Sequence, residues 1–196
     1  MKYFLKTIKN LIWLSSIFIY SCSCEQLQLS NNDKEWINCY NLYDTLIFKS
    51  KFNNYDTFFV SSKRDFHEEC NIFEKGEHTN HTISIEIRPT KCPFDLDKFN
   101  RSSILPNYCL IEIEITKKDK LLEANPNIMV LGLEASKPHN SSEFSVGKYK
   151  YHSCYFFESG KSARNYGMEY LQSFYWDKYA GLVQYKTSKN EIFELL

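Results

Sequence analysis

Between Thr82 and Arg88 the chain alternates without a break, with Ile83, Ile85 and Ile87 on one side and Ser84, Glu86 and Arg88 on the other. A period of two marks a strand with one buried face, and Pro89 stops it because it has no N–H to give the ladder. Leu110 to Thr116 repeats the pattern, with Ile111, Ile113 and Ile115 set against Glu112, Glu114 and Thr116. Tyr43–Ser50 is echoed by Tyr55–Ser62. Both are rich in β-branched and aromatic residues around Asn53-Asn54, so they predict a hairpin. Ile128 to Leu133 is apolar on both faces and predicts a central strand. Lys148 to Phe157 and Tyr166 to Trp176 read as aromatic-dense strands, although Met168 to Leu171 also suits a helix. Gly181–Lys186 and Glu191–Leu195 form a terminal hairpin about Ser188-Lys189-Asn190.

The remaining stretches are less regular. Arg64 to Lys75 reads as an irregular strand through Phe66, Ile72 and Phe73. Lys91 to Asn107, with Pro93 and Pro106, reads as a loop that Cys92 or Cys109 could staple. Trp36, Ile37 and Tyr40 recur at spacings of three and four behind the capping side chains of Ser30 to Asp33, which predicts a short helix or helical turn over Lys34 to Tyr40. The sum is an all-β domain over residues 34–196, a single antiparallel β-sandwich or barrel-like unit of about eight or nine strands with a short N-terminal helix.

The first residues follow a different pattern. Lys2, Lys6 and Lys9 precede an apolar run from Leu11 to Tyr20, within the roughly 7–15 residues of a secretory signal and short of the about 20 needed to span a bilayer. The run ends Ile19-Tyr20-Ser21-Cys22, which resembles a bacterial lipobox, with Tyr20 the position that departs from it. Residues 1–21 are therefore expected to be a signal peptide, Cys22 a lipid anchor and residues 22–33 a polar tether. An ordinary signal peptide cut near Ser21 or Ser23 is the alternative. Of the seven cysteines, acylation of Cys22 leaves an even set of Cys24, Cys39, Cys70, Cys92, Cys109 and Cys154, which an oxidising compartment can pair.

Charge narrows the function further. Lys and Arg number 24 against 24 Asp and Glu, so no basic field exists to hold nucleic acid. The sequons at Asn80, Asn100 and Asn140 keep open a secreted eukaryotic glycoprotein.

Lys34-Glu35-Trp36-Ile37, Asp44-Thr45-Leu46-Ile47-Phe48, Asp56-Thr57-Phe58-Phe59-Val60 and the closing hairpin through Leu195 resemble the small uncharacterised lipoproteins of Bacteroidetes. The resemblance covers both ends of the mature chain, implies envelope localisation and a β-rich fold, and brings no catalytic residues with it.

Several local patterns touch on chemistry. Gly160-Lys161-Ser162 matches the end of a P-loop, but Tyr155 stands where the motif needs its first glycine. His78 and His81 beside Glu77, and His152 with Cys154, offer metal-ligating types without zinc spacing. His67 to Cys70 holds a histidine and a thiol. Glu112 and Glu114 share a strand face, as the paired carboxylates of glycosidases flank a scissile bond. A polar turn, loop histidines, a disulfide cysteine and a wetted strand face account for each without function. Tyr149, Tyr151, Tyr155, Tyr166, Tyr175 and Tyr179 form a candidate platform for a sugar or apolar ligand.

The sequence thus predicts an exported, periplasmic or outer-membrane-anchored lipoprotein that contacts the membrane through Cys22. It uses no cofactor and acts as a binding or structural component toward a small molecule, sugar or protein. An extracytoplasmic hydrolase with a site built from distant residues is the other class.

Overall fold

The computed structural model describes residues 25–69, 78–92, 109–136, 141–165 and 170–196. Its main feature is one continuous antiparallel sheet of 12 strands, curled into a half-barrel. In chain order the strands are β1 (Glu25–Gln26), β2 (Thr45–Ser50), β3 (Tyr55–His67), β4 (His78–Thr79), β5 (His81–Pro89), β6 (Ile111–Lys117), β7 (Pro126–Val130), β8 (Leu133–Ser136), β9 (Ser142–Val146), β10 (Tyr149–Glu158), β11 (Arg164–Asn165), β12 (Leu171–Asp177), β13 (Gly181–Thr187) and β14 (Ile192–Leu195). The sheet runs β11-β8-β7-β6-β5-β3-β2-β14-β13-β12-β10-β9, and β1 pairs with β4 in a separate parallel ribbon. No helix among the described residues is long and apolar enough to cross a membrane.

The predicted hairpins form. β2 pairs antiparallel with β3, and β13 with β14. β14 then pairs with β2, so the end of the chain is stitched to the start of the sheet. The isoleucines of β5 and β6 point inward, where Ile85, Ile87, Ile111, Ile113 and Ile115 are wholly buried. They meet Phe48, Phe58, Phe174, Trp176 and Tyr185 in one core. The interior is filled by side chains, as small barrels are.

The strand count exceeds eight or nine for an identifiable reason. The apolar run at Ile128 is two strands, because Leu131 and Gly132 both adopt positive φ, 47° and 85°, and a two-residue turn of that kind reverses the chain between β7 and β8. β9 and the two-residue strands β1, β4 and β11 add the rest. A single curled sheet replaces the sandwich option. β10 lies beside one edge and β11 forms the other, yet only the turn from Glu158 to Arg164 separates them, a reach of about 20 Å at most. That short link holds the two ends of the sheet near one another.

Two other expectations change. The helix is α1 (Asn31–Lys34), one turn earlier than predicted. Ser30 is its N-cap, Asp33 N–H donates to Ser30 Oγ at 3.1 Å, and Asp33 in return accepts Ser30 N–H at 2.9 Å. Trp36, Ile37 and Tyr40 follow in turns and are buried as their spacing implied. From Glu25 onward the expected tether is docked instead: Leu27 and Leu29 are buried, and Leu27 N–H donates to Thr79 at 3.1 Å. Two leucines alternating with polar residues suffice to bind this stretch to the sheet. The signal segment and Cys22 lie outside the described residues.

The cysteines do not all pair. Cys92 and Cys109 form a disulfide across the loop between β5 and β6, with Cα atoms 5.7 Å apart. Cys39 and Cys154 are free thiols, acting as small apolar side chains; Cys24 and Cys70 lie outside the described residues.

Candidate functional site

The outward face of β6, β7 and β8 carries a groove of about 510 Å³ walled by the loop after β6. Glu114 sits opposite Asn127, which lies opposite Ser136, so register alone sets these side chains in a row. Asn127 Nδ2 donates to Glu134 at 3.0 Å, and Thr116 Oγ1 donates to Glu114 at 3.1 Å. Glu123, Asp119, Asn125 and Lys118 complete the polar lining, with Pro126 and Leu122 its apolar part. Glu134 and Ser136 also border a second hollow of about 480 Å³ against the Gly160-Lys161-Ser162 turn.

The paired carboxylates of the sequence separate here. Glu112 and Glu114 do share the outer face, but only Glu114 lines the groove. Glu112 faces Glu86 on β5; burial raises its pKa, and the neighbouring Glu114 and Glu86 charges add to this against Arg64. Glu134 is the second strand carboxylate of the groove, held by the side-chain amide of Asn127, the residue opposite Glu114. It has no signal in the sequence, because the apolar run before it reads as one strand and hides the reversal at Leu131 and Gly132 that starts β8.

The Gly160-Lys161-Ser162 turn is no phosphate cradle. The N–H groups of Lys161, Ser162 and Ala163 all donate to the Glu158 carbonyl at 3.1 Å, and Lys161 pairs with Glu158 at 2.9 Å. Amides turned inward on their own loop leave nothing for an anion.

The histidines regroup. His78 donates through Nε2 to the Lys118 carbonyl at 3.2 Å, while His81 is buried with 2% of its surface exposed. His81 stacks on His67 across β3 and β5, ring centroids 4.3 Å apart. Leu29 N–H donates to His81 Nδ1 at 2.9 Å, which leaves the proton on Nε2, 2.6 Å from Asp65 Oδ1. An Asp–His pair performs acid–base work only if the second nitrogen is free to take a proton. Here the backbone of Leu29 occupies it, so the pair fastens the N-terminal segment and does not form a catalytic dyad.

His152 and Cys154 also part company. The register between β9 and β10 shifts between Tyr151 and Cys154. His152 reaches Glu143 at 3.2 Å on the surface, whereas Cys154 is buried, and burial pushes its thiol up to about 12. Glu77, Cys70 and Tyr166 lie outside the described residues. Among those described, no group of three or more His, Cys, Asp or Glu is placed to hold a metal.

The tyrosines do not make one platform. Tyr155 packs on Trp36, 4.9 Å between centroids, and belongs to the core. Tyr175 instead stacks on Phe144 at 3.8 Å and meets Phe156 at 4.7 Å. β9 and β12 are separated by β10 in the sheet, so the β9–β10 hairpin must lean over the outer face to bring Phe144 there. The phenylalanines of this ladder carry no sequence signal of their own. No family model matches the chain, and no curated protein or solved structure matches it either.

Proposed function

We propose that the chain is an exported lipoprotein of the bacterial cell envelope, held to the membrane through acylated Cys22, acting through its outer surface as a binding or structural component. The carrying observation is that Glu25, three residues after the Cys22 of the lipobox-like sequence, is already paired to β4, and that Leu27 and Leu29 just beyond it are buried. Three residues span at most about 11 Å, so an acyl group on Cys22 would hold this edge of the domain close to the membrane. The Cys92–Cys109 disulfide fits an oxidising compartment.

The filled interior directs binding outward. The groove of Glu114, Asn127 and Glu134 suits a polar, hydroxyl-rich ligand such as a sugar, because its carboxylates and amides accept and donate beside the apolar surface of Pro126 and Leu122. The glycoprotein alternative gains little at Asn80, whose side-chain amide donates to Glu68 at 2.7 Å, while Thr82 of that sequon is buried against Thr116.

Detergent-phase partitioning tests the reading. Wild-type protein from cell membranes should enter the detergent phase, and the Cys22→Ser variant should not do so as a processed, acylated species. Processed wild-type protein in the aqueous phase would refute the anchor.

A further inference from the structure

The loop between β6 and β7 holds out two leucines. Leu121 is 94% exposed and Leu122 66% exposed, the two most exposed large aliphatic side chains among the described residues. The loop does not merely fail to find the core; it is fastened in this posture. Leu121 N–H donates to Asp119 Oδ1 at 2.7 Å, Lys117 Nζ donates to the Leu122 carbonyl, and His78 Nε2 donates to the Lys118 carbonyl. Each bond fixes backbone and leaves Leu121 in solvent, with Leu122 beside it at the rim of the groove, two-thirds exposed.

The position of the loop supplies its partner. Lys120 Nζ pairs with the carboxylate of Glu25, and Asn32 Nδ2 donates to Glu123 at 3.3 Å. The loop is therefore joined at both ends to the N-terminal segment. Glu25 stands three residues after Cys22, and three residues span at most about 11 Å. If Cys22 is acylated, Glu25 cannot leave the headgroup region by more than that distance, and the loop bonded to Glu25 lies at the same surface.

We infer that residues 118–122 form a second membrane contact, in which Leu121 and Leu122 enter the lipid interface beside the Cys22 anchor. This rests on the anchored-lipoprotein reading above. The ionisable groups at this end give no basic field, since Lys117, Lys118 and Lys120 stand against Asp33, Asp119, Glu123, Glu25 and Glu68. Attraction therefore comes from the apolar side chains, and a patch too weak to bind alone suffices when a tether confines it. The consequence is orientation. The end of the sheet bearing His67, His81 and the Lys117 terminus of β6 faces the bilayer, and the β2–β3 turn at Phe52 faces away.

Tryptophan reporters test this. The full chain, purified from membranes and reconstituted into vesicles of equal parts phosphatidylcholine and phosphatidylglycerol, is compared as wild type, Leu121→Trp and Phe52→Trp. Both positions are exposed, so neither change disturbs the core. The emission added by Leu121→Trp should be blue-shifted and quenched several-fold more by doxyl-labelled lipid than that added by Phe52→Trp. Equal, water-like emission and quenching in protein that floats with the vesicles overturns the loop proposal and leaves the anchor standing. Wild-type protein that does not float with the vesicles overturns the anchor, and the loop proposal with it.

Discussion

The Tyr40 hydroxyl accepts the backbone N–H of Leu182 at 2.8 Å, deep in the core and across 142 residues of sequence. It joins the N-terminal segment to β13 at the position where Gly181 takes a positive φ of 78°. A Cβ built on Gly181 would fall 1.9 Å from the Tyr40 oxygen, so the glycine is required both by conformation and by space. Tyr40→Phe keeps the ring but orphans a buried donor and should cost about 1–3 kcal/mol. Gly181→Ala should cost at least as much, since strain adds to the clash. Urea unfolding followed by tryptophan fluorescence measures both, and an unchanged midpoint for Gly181→Ala would deny the close approach.

Asp33 makes docking of the N-terminal segment acid-sensitive. Burial pushes its carboxyl up, but the Ser30 hydroxyl, the N–H groups of Ser30 and Ala124, and Lys117 outweigh burial and hold it below the ordinary 3.8. A depressed carboxylate stabilises the fold above its unfolded pKa and loses that contribution as pH falls through the folded value. Thermal melts taken from neutral pH downward should therefore show a loss beginning near pH 4, and Asp33→Asn should be less stable at neutral pH with a flatter acid limb.

Glu112 has the opposite sign. Its raised pKa, caused first by burial and then by Glu114 and Glu86, means that the folded state takes up a proton more readily than the unfolded one. Stability should rise as pH falls through the raised value. Glu112→Gln, which removes a charge directly opposite Glu86, should stabilise the protein at neutral pH by about 0.2–1 kcal/mol. A destabilised variant would show that the Arg64 contribution dominates.

The cysteines divide by reactivity. Burial pushes both the Cys39 and Cys154 thiols up to about 12, so neither forms thiolate at neutral pH. Alkylation mapped by mass spectrometry should spare both in the native protein and label both in urea. Non-reducing digests should yield the Cys92–Cys109 bridge, which closes a sequence separation of 17; its reduction should cost about 3 kcal/mol.

The sheet was legible in the sequence wherever one face met water. Ile83-Ile85-Ile87 and Ile111-Ile113-Ile115 displayed their strands because polar residues marked the other side. The β7–β8 hairpin did not, since an apolar run has no period and its reversal rests on positive φ at Leu131, a residue that rarely takes it. Leu27 and Leu29 alternated too briefly within a polar stretch to announce a docked segment. The groove needed register: Glu114, Asn127 and Glu134 lie on three strands, and only pairing places them together. His78 and His81, neighbours in sequence, face different surroundings, while His67 and His81 meet because β3 and β5 pair.

Metabolic labelling with palmitate, wild type against Cys22→Ser, tests the anchor most directly. Incorporation in the wild type that is abolished in Cys22→Ser is the predicted result. A wild-type chain that takes up no label, or a Cys22→Ser variant that labels equally, would contradict it.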